Sequence, residues 1–211
     1  MTQEVNVMAK IVFDFPETID IIPGTVVHTY IIKRPDAIIQ IDAGIQSDFN
    51  KIRDYYSSTG NSPDYVLITA VDYIHVGALR EIYDTYNPKI YVPKRGMGTM
   101  KNGPNLKGIL EIEGKGLRFD GIQHVYSYNK MELDFLEVID TPGYSQDNVS
   151  LYYKDKNTVF VGDAFTIKRQ KFKIDQMFTQ NMEDARASME KIKSLCPVTI
   201  LPSHGELYNC P

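Results

Sequence analysis

The sequence is poor in cysteine and histidine: its 211 residues include two cysteines, four histidines and no tryptophan. Cys196 and Cys210 form no Cys-x-x-Cys pair, and two cysteines near one end do not make a disulfide framework. We therefore expect free thiols and a reducing, cytoplasmic compartment. The first ten residues lack the charged-then-apolar pattern of a secretion signal. No apolar run approaches the roughly 18 residues of a membrane-spanning helix, so a membrane location is not expected.

An excess of basic residues is also absent, since the formal net charge is −4. A chain of this charge has no global field that would attract nucleic acid, so any attraction to an anionic partner has to be local. Hydrophobic residues make up 43% and charged residues 24%, which is ordinary for a globular protein. The length favours one domain spanning residues 1–211, and homo-oligomerisation stays open.

Hydrophobic periodicity and turn residues predict an alternation of strands and helices along the chain. Three segments have helical spacing of apolar residues: Gln46–Ser58, Val76–Tyr86 and Asn181–Leu195, the last with Asn181 as its N-cap. The predicted strands are Ile11–Phe13, Thr25–Lys33, Ala37–Asp42, Tyr65–Thr69, Lys89–Val92, Ile109–Glu113, Gly121–Tyr128, Phe135–Ile139, Val149–Tyr153, Val159–Val161 and Val198–Leu201. The glycine- and lysine-rich stretch Lys94–Gly108 is predicted to be a loop.

This order of elements is compatible with two architectures. Two sheets packed face to face with helices outside would give every sheet face and helix stripe a partner. An open doubly wound sheet is the alternative. Hairpin-length connections between the strands from Ile109 to Val161 favour antiparallel pairing there and thus the first arrangement.

Polar residues that simple packing does not require follow several predicted strands. Asp72 and His75 come after the strand Tyr65–Thr69, Asp163 follows a glycine at another strand end, and His204 follows the last strand. These side chains converge if the strand ends meet at one edge. Two imidazoles and one carboxylate are enough to hold a divalent metal ion.

The chain resembles the metallo-β-lactamase superfamily over nearly its whole length. The matching landmarks stand in the family's order: Ile41-Asp42-Ala43-Gly44, Val66–Leu79, Val138–Ser150, Phe160–Phe165 and Ile200–Gly205. The resemblance implies an α/β (α+β) fold of four layers, αββα, in which two mixed sheets pack together with helices outside. It also implies that Asp42 is a structural acid near the site.

The resemblance also shows which metal ligands are missing. Members of the family typically carry a Thr-His-x-His-x-Asp-His run. Here Ala70 stands at its first histidine, Asp72 at its second, Ile74 at its aspartate and His75 at its third. The histidine of the family's Thr-Pro-Gly-His segment falls at Tyr144, while Asp163 and His204 match the remaining ligands. We expect at most one metal ion, zinc or iron, on His75, Asp163 and His204, and the sequence leaves open whether any ion is bound.

The family resemblance implies hydrolysis of an ester, thioester or phosphoester. Asp163 and Asp72 would be the catalytic carboxylates, with Asp72 as an extra ligand or general base. Tyr144 is predicted to be a substrate-binding residue on the wall of the pocket. Its alternatives are a phenolate ligand to the metal and a packed tyrosine with a bonded hydroxyl. Lys168 and Arg169 belong to a local run of basic residues and would bind the anionic end of a small substrate. Alternatively, this run is the solvent-exposed face of a strand or loop.

Two other functions compete with hydrolysis. The missing ligands are equally typical of a non-catalytic member that acts as a binding or interaction module. A two-histidine, one-carboxylate set also suits a mononuclear iron site with redox activity. Neither alternative involves nucleic acid or a membrane.

Overall fold

The structure, a computed structural model, describes residues 10–12, 18–102, 119, 121–196 and 198–211. Its strands are β1 (Lys10–Val12), β2 (Thr18–Ile22), β3 (Thr29–Lys33), β4 (Ile38–Ile41), β5 (Tyr65–Leu67), β6 (Lys89–Val92), β7 (Val125–Ser127), β8 (Leu136–Asp140), β9 (Val149–Tyr153), β10 (Thr158–Gly162), β11 (Thr166–Lys168), β12 (Lys171–Lys173), β13 (Thr199–Pro202) and β14 (Tyr208–Asn209). Its α-helices are α1 (Phe49–Thr59), α2 (Tyr73–Val76), α3 (Leu79–Tyr86), α4 (Met97–Asn102) and α5 (Met182–Lys193).

The strands form two mixed sheets and a separate hairpin. In the first sheet the order is β1-β2-β3-β4-β5-β6-β7, antiparallel from β1 to β4 and parallel from β4 to β7. In the second sheet the order is β14-β13-β10-β9-β8, with β10 and β13 parallel. Strands β11 and β12 form a separate hairpin, and Ile167 of β11 also makes an isolated parallel bridge with Gly205. The parallel strands end at a common edge of each sheet, where the polar residues follow them.

The alternation of side chains along the strands explains how the sheets pack. In β3, Tyr30 and Ile32 lie between the two sheets, whereas Ile31 points the other way, under α1 and α3. Leu151 and Phe160 of the second sheet meet the first sheet in the same central cluster. Each such buried apolar side chain stabilises the fold by roughly 1.5–3 kcal/mol.

Helices cover the outer faces of both sheets. Helix α1 contributes Ile52 and helix α3 contributes Leu79 and Ile82 to the cluster on the first sheet. Ile192 of α5 packs against Val159 of the second sheet. The arrangement is the predicted αββα sandwich, and the open doubly wound sheet is excluded.

Several local predictions were wrong. Residues 94–102 are not a loop but a short 3-10 helix followed by α4, because Met97 and Met100 supply apolar contacts to the core at helical spacing. The helix predicted for Val76–Tyr86 is α3 and begins later, at Leu79, and the short helix α2 (Tyr73–Val76), which was not predicted, precedes it across Gly77 and Ala78. Strands β2, β11, β12 and β14 were not predicted, and the predicted strand Ile109–Glu113 lies outside the described residues.

The prediction of free thiols was also wrong. Cys196 and Cys210 form a disulfide, with 5.5 Å between their Cα atoms. Backbone pairing brings the two together, because the amide of Cys210 donates to the carbonyl of Val198. The inference of a reducing compartment rested on unpaired thiols and loses that support. Among the described residues, no helix is both long and apolar enough to cross a lipid bilayer.

Candidate active site

Asp42 joins the ends of two neighbouring strands at the site edge. It follows β4 with a positive φ of 60°, a conformation that aspartate tolerates better than most residues. Its carboxylate accepts hydrogen bonds of 2.8 Å from both the amide and the hydroxyl of Thr69, beyond β5. Burial raises the pKa of Asp42 to about 6, although His75 and the bonds from Thr69 oppose the rise. The implied role as a structural acid is confirmed.

Asp72 fixes the orientation of His75. Asp72 is the N-cap of α2, and its Oδ1 accepts hydrogen bonds from the backbone amide of His75 at 3.2 Å and from His75 Nδ1 at 2.7 Å. A carboxylate has only acceptors, so the ring must carry its proton on Nδ1 in this contact. The other ring nitrogen, Nε2, is therefore the one that can donate a lone pair when the imidazole is neutral.

Asp163 lies next to His75 because of the glycine before it. Gly162 ends β10 with a φ of 56°, and a Cβ there would lie 2.8 Å from Thr69 Oγ1, so the position requires glycine. The turn places Asp163 Oδ2 3.7 Å from His75 Nε2. The Asp163 side chain is 4% exposed, so its carboxylate is almost entirely out of water.

His204 completes the group from the second sheet. It follows β13 and is held by its backbone carbonyl, which accepts a 2.7 Å hydrogen bond from the hydroxyl of Thr166. Its Nε2 lies 3.4 Å from Asp163 Oδ1. The His204 side chain is 37% exposed, in contrast to the fully buried His75. The open side of the site is therefore at His204.

Electrostatics favour an ionised carboxylate between the two imidazoles. Burial raises the pKa of Asp163, but the nearby His75 and His204 lower it by more, so its pKa lies below the ordinary value. Burial lowers the pKa of His75, but the carboxylates of Asp72, Asp42 and Asp163 outweigh that effect and hold it well above the ordinary value. This concentration of charge in a buried place is typical of functional sites.

Tyr144 faces Asp163 from the loop between β8 and β9. Burial, followed by the charges of Asp72 and Asp163, raises the pKa of Tyr144 far above neutral pH. Without a bound cation its hydroxyl therefore stays protonated and acts as a hydrogen-bond donor.

Lys168 and Arg169 lie apart from these residues. They occupy the turn of the β11–β12 hairpin, where both are exposed, and the Arg169 amide donates to Glu206 Oε1 at 3.2 Å. Neither residue lines the cavity described next. The structure thus brings together Asp72, His75, Tyr144, Asp163 and His204, but not the two basic residues predicted to bind an anion.

A cavity of about 380 Å³ opens beside Asp163 and His204. Its lining consists of Val26, Ile74, Tyr144, Asp163, Phe165, Thr166, Asp175, Phe178 and His204. Sequence reasoning missed five of these: Val26, Phe165, Thr166, Asp175 and Phe178. Phe165 could have been found, since it ends a matching landmark; Val26 and Phe178 reach the cavity through loops that carry no motif.

The residues present fit a single metal ion. His75 Nε2 and both carboxylate oxygens of Asp163 are buried and have no hydrogen-bond partner of good geometry within the described chain. Buried polar atoms are normally paired, and these three lie beside His204. Measured from the Asp163 carboxylate, the separations of 3.7 Å to His75 and 3.4 Å to His204 are close to the roughly 3.3 Å between ligands on one tetrahedral zinc ion. The group whose ligand atoms all lie within 4.8 Å of one another is Asp72, His75 and Asp163, although Asp72 Oδ1 is already bound to His75, and His204 joins this group through Asp163.

Comparison with known proteins identifies a family for the chain. A family model described as the metallo-beta-lactamase superfamily matches residues 22–204. The probable metallo-hydrolase YqgX of Bacillus subtilis is 26% identical over 145 residues, which are 65% of this chain and 65% of that protein. The probable metallo-hydrolase YybB of the same organism is 26% identical over 192 residues, covering 87% of this chain and 83% of the relative.

A solved structure shows the same fold. The structure of TTHA1623 in a di-iron-bound form superposes with a TM-score of 0.70 at 21% identity, covering 89% of this chain and 92% of that one. At this identity the likeness concerns the fold alone. The site residues of the present chain have to be judged by their own geometry.

Proposed function

This chain belongs to the metallo-beta-lactamase superfamily, and we propose that it is a metal-dependent hydrolase of an ester, thioester or phosphoester. The metal ion, zinc or iron, would be held by His75, Asp163 and His204. The observation that carries the proposal is the set of buried atoms on His75 and Asp163 that have ionic contacts at 3.7 and 3.4 Å but no hydrogen bond of good geometry, beside the imidazole of His204. Buried polar atoms normally form hydrogen bonds, and a cation between these atoms would satisfy them.

One ion rather than two follows from the neighbouring side chains. Ala70 and Ile74 are 0% and 2% exposed, and neither side chain carries a ligand atom. The protonated phenol of Tyr144 is a poor substitute for an imidazole. A second ion would therefore lack most of the ligands that hold it in the family.

Each polar residue has a separate task in the proposed reaction. A divalent ion supplies Lewis-acid polarisation of a carbonyl or phosphoryl oxygen and activation of water. Asp72 keeps His75 in the tautomer whose Nε2 is available, as carboxylates commonly do for metal-binding histidines. Tyr144 presents a hydroxyl donor on the cavity wall, suited to a substrate oxygen.

Elemental analysis of protein purified without chelator tests the proposal. We expect up to one equivalent of zinc or iron in the unaltered protein and its loss in His204→Ala. The matched control is His124→Ala, because His124 is exposed and lies outside the cavity, and this variant should retain the metal. Hydrolysis of activated esters should follow the metal content.

Two results would contradict the proposal. Two equivalents at full occupancy would show that Asp72 and Tyr144 replace the missing ligands. A folded protein that takes up no added zinc or iron and hydrolyses none of the three substrate classes would support the non-catalytic binding module instead, which the loss of ligands at Ala70 and Ile74 favours.

A further inference from the structure

The cavity beside the candidate ligands has a largely apolar wall. Ile74 and Phe165, each 2% exposed, form its inner part, whereas Val26 and Phe178 at its mouth are 38% and 49% exposed. Among the described residues, four large hydrophobic side chains are this exposed, and two of them line this one cavity. An apolar surface left open next to polar site residues is typical of a ligand-binding wall.

Backbone hydrogen bonds hold Phe178 in place at the mouth. Asp175 Oδ1 accepts from the amides of Met177 and Phe178 at 2.8 and 3.2 Å. Two residues further on, the amide of Gln180 donates to the carbonyl of Tyr144 at 3.1 Å. The aromatic wall is thus formed in advance, so little ordering cost opposes binding.

The charges of the wall oppose an anionic ligand. Within the described part of the chain no lysine or arginine lines this cavity, while Asp163 and Asp175 do. Away from His204 and the proposed metal ion, a carboxylate or phosphate on the remote end of a substrate would lose water without gaining a cationic partner. This reverses the sequence-based expectation that Lys168 and Arg169 bind an anionic end.

We infer that this wall binds a neutral, apolar acyl or aryl group of the substrate, and that the protein discriminates against substrates with an anionic remote end. The inference rests on the proposed function for the reaction, but the binding step does not depend on it. Ile74 forms part of the apolar wall, because an apolar side chain stands where the family typically has a carboxylate. The same substitution that removes a metal ligand thereby extends the apolar wall.

Neutral amides test the binding step without turnover. NMR titrations would compare acetamide, butanamide and hexanamide with adipamate, in which a carboxylate replaces the terminal methyl group of hexanamide. Each compound would be titrated into chelator-treated and into zinc-supplemented protein. We expect affinity to rise about two- to fourfold for each added methylene, and adipamate to bind at least about tenfold more weakly than hexanamide. Affinities that do not change with chain length, or equal binding of the two six-carbon compounds, would overturn the inference.

Variants of the mouth locate the binding. Phe178→Ala should weaken hexanamide binding roughly tenfold, and Val26→Ser, a second variant on the same wall, should weaken it in the same direction. Met177→Ala is the matched control, since Met177 is 83% exposed and does not line the cavity. Unchanged affinity in both wall variants would refute the assignment. Sedimentation that shows the two wall variants only dissociating a dimer would also refute the assignment, because the exposed apolar residues would then form a contact between copies of the chain.

The two proposals fail in different ways. Chain-length-dependent binding of amides without hydrolysis of hexanoyl esters would contradict the proposed hydrolase and leave this inference standing. Metal-dependent hydrolysis that proceeds equally with acetyl, hexanoyl and adipoyl esters would do the reverse.

Discussion

Two single carboxylates, Asp42 and Asp72, each make more than one structural contact at this site. Asp42 is 1% exposed, yet it uses both carboxylate oxygens to bind Thr69. Asp72 is at once the N-cap of α2 and the partner of His75 Nδ1. Both residues position others. Asp42 matches a family landmark, whereas Asp72 stands where the family typically has a histidine. Their bonds could not be read from the sequence, because they depend on side-chain positions.

The raised pKa of Asp42 predicts a pH dependence of stability. Its pKa is about 6 in the folded protein against an ordinary 3.8, so between these values the folded state holds a proton that the unfolded state has lost. Stability from this group is complete below pH of about 4 and is lost as the pH rises to about 6. Asp42→Asn cannot ionise but keeps an acceptor for Thr69.

Urea unfolding of both proteins with a chelator present measures the effect. The unfolding free energy of the unaltered protein relative to Asp42→Asn should fall by up to about 3 kcal/mol between pH 4 and 6.5. A difference that stays constant across this range would show that Asp42 ionises normally in the folded state.

Elements with strong periodicity were well predicted, and their junctions were not. The structure places β6 and β9 at the predicted bounds, Lys89–Val92 and Val149–Tyr153, because these short runs of apolar and β-branched residues end at turn residues. The break between α2 and α3 carried no periodic signal. The break arises because Gly77 packs closely against the backbone of Ile45 and Gln46, just before α1. These residues are about thirty positions away in the chain, so the sequence around Gly77 gives no sign of the contact.

Gly77 at this junction should be intolerant of a side chain. A Cβ there would lie 2.6 Å from the Cα of Ile45 and 2.7 Å from the amide nitrogen of Gln46, both backbone atoms that cannot move away freely. We expect Gly77→Ala to lower the unfolding free energy by about 1–3 kcal/mol. Gly98→Ala in α4 is the control: no atom lies within 4 Å of the added Cβ, so it should stabilise by up to about 1 kcal/mol. Changes of the same sign in both variants would contradict this explanation.

At the scale of the whole molecule, the site depends on contact between the two sheets. His75 lies in α2, which follows β5 of the first sheet, whereas Asp163 and His204 follow strands of the second. The cluster that includes Tyr30 and Phe160 sets the relative position of the sheets. The Tyr30 hydroxyl also donates a hydrogen bond to the carbonyl of Pro202, which joins β3 of the first sheet to β13 of the second just before His204.

The disulfide is expected to stabilise the molecule at its C-terminal end. Cys196 and Cys210 are 14 residues apart, a loop whose closure corresponds to about 3 kcal/mol. Reductant should lower the unfolding free energy by about that amount in the unaltered protein, with no effect on the double variant Cys196→Ser, Cys210→Ser. Alkylation of both cysteines in the native, unreduced protein would contradict the pairing.

The sequence by itself determined which residues can bind a metal and that they follow strand ends in the family's order. The periodicity of apolar residues, a local property of the chain, located most strands and helices, while the two-sheet fold followed from the family resemblance and not from periodicity alone. The tertiary structure decided that Lys168 and Arg169 lie away from the cavity, that the cysteines pair and that Val26 and Phe178 line the same cavity. Each of these depends on distances between side chains, and none of those distances is encoded in local spacing.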